Sequence, residues 1–185
     1  MTVLPSAGSM RSFVLCVLLL ACAAPAAFAQ ASCDTTCVDV LRVATAFATA
    51  KADGMLGPHG PRYVAETVRA VTPEADTVAL DSAPMRQIAS EMDLPYLDRN
   101  ASDQWRQCIN DATPTACRLI VGRTRIGLDY LRIRTSGRAT VRALVEMITI
   151  RENGEHEAFV RSSQLEIEKL NGVWRVTGES VVVVS

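Results

Sequence analysis

The last third of the chain, from Thr124 to Val184, most constrains what this sequence can fold into, because strand-length segments alternate there with short turn signals. Turns are predicted at Ser136-Gly137, Asn153-Gly154 and Asn171-Gly172. The dipeptide Asn-Gly favours a type I′ turn, since that turn needs positive φ at both of its central residues. The segment therefore predicts an antiparallel meander of long strands.

The side-chain pattern inside these strands predicts where the sheet bends. In Ala139–Met147 the odd-numbered residues are all apolar, which places one face of the strand in a core. The apolar residues change parity at Tyr130-Leu131 and again near Ile148. Such changes favour β-bulges, which bend a strand and increase its twist. We therefore expect the sheet to bend at these two places.

Charge is sorted along the same strands. Residues 118–142 hold seven arginines and a single acid, Asp129, whereas residues 146–168 hold six glutamates. Opposite charges on neighbouring strands contribute about 0.2–1 kcal/mol per pair. The pattern favours a solvated face of cross-strand salt bridges, with an anion-binding patch as the alternative.

The N-terminus has the layout of a secretory signal peptide, residues 1–29, with an apolar run and then Ala27-Phe28-Ala29 as a cleavage site. Cleavage would leave residues 30–185 as one domain without a membrane span. We therefore expect a periplasmic or secreted protein. Two alternatives stay open: an uncleaved anchor, and lipidation at Cys22, because Leu19-Leu20-Ala21-Cys22 resembles a lipobox.

Four of the six cysteines lie outside the predicted signal peptide: Cys33, Cys37, Cys108 and Cys117. An even number of cysteines in an exported chain indicates disulfides. Three connectivities are possible, and we favour local pairing, Cys33 with Cys37 and Cys108 with Cys117. The alternative for Cys33 and Cys37 is a redox pair or half of a zinc site, but their spacing is not C-x-x-C and no histidine lies nearby.

The N-terminal half is predicted to be mainly helical. Thr36-x-x-Asp39 has the form of a capping box, and apolar residues at helical spacing predict a first helix over Val38–Ala52. Pro61 is suited to the first position of a second helix that carries Val64, Val68 and Val71 on one face.

Shorter elements are predicted before the sheet. Thr77–Leu80 is β-prone, and Ser82 and Ser102 are candidate caps of two short helices. In the second of these helices Trp105 and Cys108 share one face. Burial of that face would hold Cys108 in a fixed place.

Asp129 and Tyr130 are the candidate catalytic pair. A carboxyl buried in an apolar pocket has a raised pKa and can act as a general base, and a phenol can donate a hydrogen bond to a developing oxyanion. The alternative is an aspartate at the sheet edge that balances Arg125 or Arg132.

The sequence contains no recognisable cofactor or metal motif. The two histidines, His59 and His156, lie at predicted turns and lack metal-ligand spacing, so we expect neither a metal nor a cofactor. The formal net charge of −1 gives no reason to expect nucleic acid as a partner.

The last predicted hairpin of the chain reads Leu170-Asn171-Gly172-Val173-Trp174-Arg175-Val176. This hairpin, after helices and a bent sheet, resembles the nuclear-transport-factor-2-like superfamily, which includes ketosteroid isomerases and polyketide cyclases. The resemblance implies an α+β fold whose N-terminal helices pack in the concave face of a strongly bent antiparallel sheet, a cystatin-like cone with a pocket. Catalytic members place a tyrosine on the first helix. Val38–Ala52 contains only Phe47, which counts against a steroid isomerase.

We therefore expect an exported, non-catalytic domain that binds a small apolar ligand or a protein partner, with a homodimer as one possible assembly. Two alternatives are a proton-transfer isomerase or dehydratase for a small hydrophobic carbonyl compound, which would use Asp129 and Tyr130, and an envelope-assembly module. A fold shared by enzymes and binding domains does not decide between these functions. The side chains that line the concave face of the sheet would decide.

Overall fold

The computed structural model describes residues 33–56, 62–65, 69–71, 77–110, 117, 120–134, 137–150 and 155–184. The helices are α1 (Thr35–Leu56), α2 (Ala83–Glu91) and α3 (Arg99–Asn110). The strands are β1 (Arg62–Ala65), β2 (Arg69–Val71), β3 (Thr77–Ala79), β4 (Tyr96–Leu97), β5 (Thr124–Arg134), β6 (Arg138–Ile150), β7 (His156–Leu170) and β8 (Val173–Val184). The predicted signal peptide, with Cys22, lies outside the described residues, as do His59 and the Asn153-Gly154 turn.

The strands form an open mixed sheet in the order β3-β2-β5-β6-β7-β8. Strands β5 to β8 are the predicted antiparallel meander. Strands β1 and β2 pair one after the other along the free edge of β5, and both run parallel to it. The α+β class is confirmed, whereas the prediction of a purely antiparallel sheet is wrong at this edge. The cone shape stays a prediction.

The second predicted helix is wrong. The residues expected to form it include two short strands, Arg62–Ala65 and Arg69–Val71. Val64 and Ala65 are fully buried because β1 lies between β5 and β4, and the backbone N–H of Val64 also donates to the carbonyl of Pro95 at 2.9 Å. This pairing joins residues far apart in the chain, so local helical spacing gave no sign of it. The predicted strand Thr77–Leu80 is present as β3.

Aspartates cap the helices where serine or threonine was predicted. Asp34 accepts a hydrogen bond from the N–H of Cys37 at 2.8 Å at the start of α1. Asp81 accepts a hydrogen bond from the first turn of α2 and lies next to the predicted cap Ser82. Asp98 accepts one from the first turn of α3 and lies four residues before the predicted cap Ser102. An aspartate side chain at such a position satisfies a backbone N–H that has no partner within the helix.

The main core lies between α1, α2 and one face of the sheet. Helix α1 contributes Val40, Leu41 and Ala44, all fully buried. Strand β6 contributes four of the five predicted odd-numbered residues, and the fifth, Met147, is only half-buried. The four are Ala139, Val141, Ala143 and Val145. The side chain of Arg42 on α1 bonds Glu91 of α2 through two nitrogens, at 2.7 and 3.2 Å. This exposed ion pair fixes the orientation of α2 on α1.

One of the two predicted bulges is present. The register of β5 on β6 shifts between Leu128 and Tyr130, so Asp129 is the extra residue. No shift occurs near Ile148, where β6 and β7 pair in continuous register. The parity of the apolar residues changes there because Ile148 faces away from the main core and joins a second apolar cluster, with Cys108 and Cys117. Two further shifts lie between β7 and β8.

The predicted turn at Asn171-Gly172 is confirmed, since these residues have φ of 51° and 83°. The predicted disulfide pairing is also confirmed. Cys33 bonds Cys37 beside the start of α1, and Cys108 at the end of α3 bonds Cys117. Two disulfides fit an oxidising environment. None of the helices in the described part of the chain has the length and apolar character needed to cross a membrane.

Candidate functional site

A small cavity lies between α1 and the sheet in the described part of the chain. The α1 cavity, which lies between α1 and strands β6 to β8, has a volume of about 10 Å³, room for about one water molecule. Its lining consists of Phe47, Ala48, Lys51, Ala143, Val145, Arg161, Ser163, Leu165 and Glu179. The α1 cavity itself, as the described residues line it, is too small for a ligand of ordinary size.

Four polar side chains at this cavity form a closed network, the Glu179 cluster. The carboxylate of Glu179 on β8 accepts hydrogen bonds from Arg161 at 2.8 Å and from Ser163 at 2.9 Å, both on β7. Its other oxygen lies 2.7 Å from Nζ of Lys51 on α1. The cluster thus joins the helix to the last two strands.

The Glu179 carboxylate is a poor base. Partial burial acts to raise the pKa of Glu179, but the hydrogen bonds from Lys51, Arg161 and Ser163 together outweigh it and lower the pKa to about 2. A general base works best when its pKa lies near the working pH. At neutral pH this carboxylate is therefore an ionised structural group that takes up protons only in strong acid.

A larger cavity lies beside α3. The α3 cavity has a volume of about 100 Å³ and is lined by Tyr63, Leu97, Ala101, Gln104, Trp105, Cys108, Ile120 and Arg123. These side chains come from β1, β4, α3 and the segment before β5. Most of the lining is aromatic or aliphatic, and Gln104 and Arg123 supply its amide and its guanidinium.

Local structure explains why these side chains meet. Helix α3 begins at the Asp98 cap and buries Trp105 and Cys108, which are one turn apart, on a single face. The Cys108–Cys117 disulfide then attaches the end of α3 to the chain that leads into β5. Parallel pairing of β1 with β5 places Tyr63 beside this helix, with its ring centroid 6.2 Å from that of Trp105.

The electrostatics of the α3 cavity favour an acidic group. The guanidinium of Arg123 lies over the ring of Tyr63, 5.6 Å from its centroid. Among the described residues, no carboxylate pairs with Arg123. The indole N–H of Trp105 is buried and has no hydrogen-bond partner within the same part of the chain. The cavity therefore combines apolar walls with a cation that no carboxylate of the described residues neutralises.

A buried ion pair lies in the sheet next to this region. Arg125 is fully buried on β5 and pairs with Glu146, the residue opposite it on β6. The Arg125 guanidinium lies over Gly127, where a Cβ atom would be 3.6 Å from it. The pair accounts for the two most buried charged residues of the described chain, and neither of them lines the α1 or the α3 cavity.

The predicted catalytic pair lies elsewhere. Asp129 is the bulge residue of β5, its side chain is 40% exposed, and its carboxylate lies 4.0 Å from Arg142 on β6. Tyr130 is half-buried and also stands opposite Arg142. The charge partner of Asp129 is therefore Arg142, where Arg125 or Arg132 was expected. Neither Asp129 nor Tyr130 lines the α1 or the α3 cavity, and their catalytic role stays a prediction.

The described residues include no group of three or more histidine, cysteine or acidic side chains that could hold a metal ion. His156 begins β7, and its side chain is not described.

Sequence analysis named Trp105 and Cys108 but missed the rest of the α3 cavity. Tyr63 was assigned to a helix, and Arg123 was counted only as one of seven arginines. The Glu179 cluster was missed as well, because Lys51, Arg161 and Glu179 are far apart in the sequence. The charge sorting along the strands was the one signal, and it correctly predicted cross-strand pairs such as Arg138 with Glu168 at 3.0 Å.

Comparison with known proteins gives no match, either to a protein-family model or to a curated protein. The resemblance to the nuclear-transport-factor-2-like superfamily accordingly stays a prediction that rests on the Asn171–Val176 hairpin and the order of the elements.

Proposed function

We propose that this chain is an exported, non-catalytic binding domain that recognises a protein partner by taking one apolar side chain of that partner into the α3 cavity. The observation that carries the proposal is the α3 cavity itself, with two aromatic rings, aliphatic walls and the guanidinium of Arg123 around a volume of about 100 Å³.

The size of the cavity favours a single side chain over a free small molecule. Pockets for drug-sized ligands have volumes of roughly 300–1,000 Å³. An apolar cavity of about 150 Å³ in another protein takes up benzene, so the α3 cavity suits one leucine-sized group. A single group of that size binds usefully when the rest of a partner contributes further contacts around it.

The chemistry of the lining indicates which side chain would bind. Tyr63 and Trp105 offer ring faces and edges to an apolar group. Arg123 is a guanidinium stacked on an aromatic ring, and a carboxylate next to the apolar group would pair with it at the cavity mouth. We therefore expect an apolar residue with an acidic neighbour or a free C-terminal carboxylate.

The other polar groups give less support to an enzyme. Glu179 is committed to three donors, and the low pKa of its carboxylate makes it a weak base at neutral pH. Asp129 is partly exposed beside Arg142 and lines neither cavity. The isomerase or dehydratase alternative, with Asp129 and Tyr130, would need a pocket at the β5 bulge. Export is supported by the two disulfides and by the signal-peptide layout of residues 1–29.

Nuclear magnetic resonance can test the proposal, because the chain has two tryptophans in different places. Trp105 lines the α3 cavity, whereas Trp174 belongs to the main core. Titration with N-acetyl-leucine should shift the indole N–H signal of Trp105 and leave that of Trp174 unchanged. The signals are assigned with the variant Trp105→Phe. N-acetyl-leucinamide, which lacks the carboxylate, should bind about tenfold more weakly if it loses a charge-assisted hydrogen bond.

Matched variants separate the cavity from the helix surface. Ala101→Leu fills the α3 cavity and should abolish the shift, whereas Gln107→Leu places a leucine on the exposed side of the same helix and should preserve it. Arg123→Gln should remove the preference for the carboxylate over the amide. Equal shifts of both tryptophans, or binding that Ala101→Leu leaves intact, would contradict the proposal.

A further inference from the structure

Strand β8 is an open edge of the sheet. Within the described residues it pairs only with β7, so one side of this 12-residue strand has no strand beside it. The peptide groups that point away from β7 can therefore pair with another extended chain. An open edge of this length is a template for strand addition.

Four of the five exposed large hydrophobic residues of the described chain lie on this strand. Leu170 precedes the last turn, and the other four lie on β8 itself: Val173, Val181, Val182 and Val183, each between 47% and 54% exposed. Single exposed apolar residues are ordinary on a protein surface, but a cluster of them indicates an interaction site.

The order of residues along β8 is nearly symmetric. The strand begins with Val173-Trp174, continues with the more polar stretch Arg175–Ser180, and ends with Val181–Val184. When two antiparallel copies of the strand lie side by side, the apolar start of each meets the apolar end of the other. A two-fold axis produces this arrangement, since it brings the same surface of both copies together.

In one register of the two strands, residues that lie on the same face of the sheet stand opposite each other. If Thr177 stands opposite Gly178 of the second copy, Trp174 stands opposite Val181, and both of these residues lie on the main-core face by their pairing with β7. The pairing of β8 with β7 shifts between Val176 and Gly178, so Thr177 is a bulge residue of β8, and in this register it lies next to the two-fold axis. We propose that β8 docks antiparallel on β8 of a second copy in this register and joins the two sheets into one.

Charge agrees with this register. Arg175 is the exposed ionic side chain of β8, and the register sets it opposite Ser180 of the second copy. The two copies of Arg175 stay apart by about five residues, or roughly 16 Å along the strand, so like charges do not face each other. Glu179 already pairs with Lys51 and Arg161 within its own chain and brings no unpaired acid to the junction.

Sedimentation equilibrium of the full chain tests the association. We expect a concentration-dependent dimer. Val181→Lys puts a charge where the apolar end of one strand meets the apolar start of the other, and it should weaken dimerisation at least about tenfold. The matched control is Leu170→Lys, which changes a similarly exposed residue of β7 outside the paired edge and should leave the dimer intact.

Disulfide crosslinking tests the register. In the double variant Arg175→Cys and Ser180→Cys the two new thiols are roughly 16 Å apart within one chain, too far to bond each other. In the proposed dimer, the thiol at residue 175 of one copy lies opposite the thiol at residue 180 of the second copy, so these two can form a disulfide. Oxidation should give a covalent dimer that reducing agent dissolves, and each single variant should stay uncrosslinked.

The outcomes separate the possibilities. A protein that stays monomeric at all concentrations overturns the proposal. So does a dimer that Val181→Lys leaves unchanged and that the double variant does not crosslink, because such a dimer uses another face of the molecule. Circular dichroism of each variant confirms that the chain is folded before its mass is interpreted.

Discussion

At the scale of single residues, two carboxylates stabilise opposite faces of the sheet. Glu179 holds α1 to the last two strands from the main-core side. Glu146 pairs with the fully buried Arg125 on the other side. Glu179 accepts from three donors and is partly open to water, so its contribution to the free energy of unfolding depends on pH. The ion pair of Glu146 with Arg125 is buried. It stabilises the fold because either charge without its partner would be an uncompensated charge in the interior.

Replacement of Glu179 by Gln should lower the free energy of unfolding at neutral pH. The pKa of Glu179 lies near 2 in the folded protein, below its ordinary value of 4.5, so the stabilisation is present above pH 4.5 and is lost as the pH falls towards 2. With allowance for screening by water at the cavity mouth, we expect a loss of about 1–2 kcal/mol at pH 7. Urea unfolding from pH 7 to pH 3 measures it.

The control for this prediction is Glu168→Gln, which neutralises a carboxylate whose partner, Arg138, is largely exposed. We expect a loss of about 0.5 kcal/mol or less, because exposed ion pairs contribute little. Below the ordinary carboxyl pKa the difference between Glu179→Gln and the unmodified chain should shrink. A difference that is the same at pH 7 and pH 3 would mean that the charge of Glu179 contributes nothing.

At the scale of elements, the two disulfides differ in what they connect. Cys33 and Cys37 lie within four residues of each other at the start of α1, so this bond constrains a single turn. The bond from Cys108 to Cys117 spans nine residues and joins α3 to the segment before β5. Only the second bond holds a wall of the α3 cavity in place.

The double variant Cys108→Ser and Cys117→Ser should therefore lose both stability and the proposed site. The chain-entropy estimate gives a loss of about 2–3 kcal/mol for a loop of this length. The Trp105 response to N-acetyl-leucine should disappear, since α3 is no longer fixed. The matched variant with serines at residues 33 and 37 should keep that response. Thermal unfolding and the same NMR titration measure both effects. Loss of the response in both variants would show that the second bond has no special role.

The elements predicted from the sequence are those with a local cause. Asn171-Gly172 sets a turn by its own backbone preference, and the alternation in Ala139–Met147 defines a strand with one buried face. The spacing of Val64, Val68 and Val71 predicts a helix, but Val64 and Val71 lie on two separate short strands and Val68 lies outside the described residues. The parallel pairing of these two strands with β5 depends on residues some sixty positions away, and no local pattern records it.

The distance in sequence between the residues also explains which sites could be predicted. The cysteine pairs are close in sequence and were predicted correctly. The α3 cavity was predicted only as the buried face of its helix, because Tyr63 and Arg123 reach it through the sheet. The cavity that the described residues line beneath the first helix is small, and Phe47 and the Glu179 cluster form part of its wall. The pattern of apolar residues in the sequence assigns side chains to one face of an element. Whether a cavity remains beside that face depends on how the opposing side chains pack.

At the scale of the whole molecule, two apolar clusters of unequal size hold the chain together. The main core includes residues of α1, α2 and strands β5 to β8. The second cluster consists of three buried residues, Cys108, Cys117 and Ile148, with a few partly buried neighbours. The small cluster buries little apolar area, so α3 is held by its disulfide and by one large buried side chain, Trp105. Regions of this kind open before the rest of a protein unfolds.

Native-state hydrogen exchange should reveal this division. We expect the amides of β6 and α1 to exchange only through global unfolding, because both elements lie in the main core. The amides of α3 should exchange through a local opening that costs less free energy. Reduction of the Cys108–Cys117 bond should speed exchange in α3 by at least about tenfold and leave β6 close to its former rate, since 1.4 kcal/mol of local stability corresponds to a tenfold change. If α3 and β6 instead exchange with the same free energy before and after reduction, the molecule is one cooperative unit, and the α3 cavity is as rigid as the core.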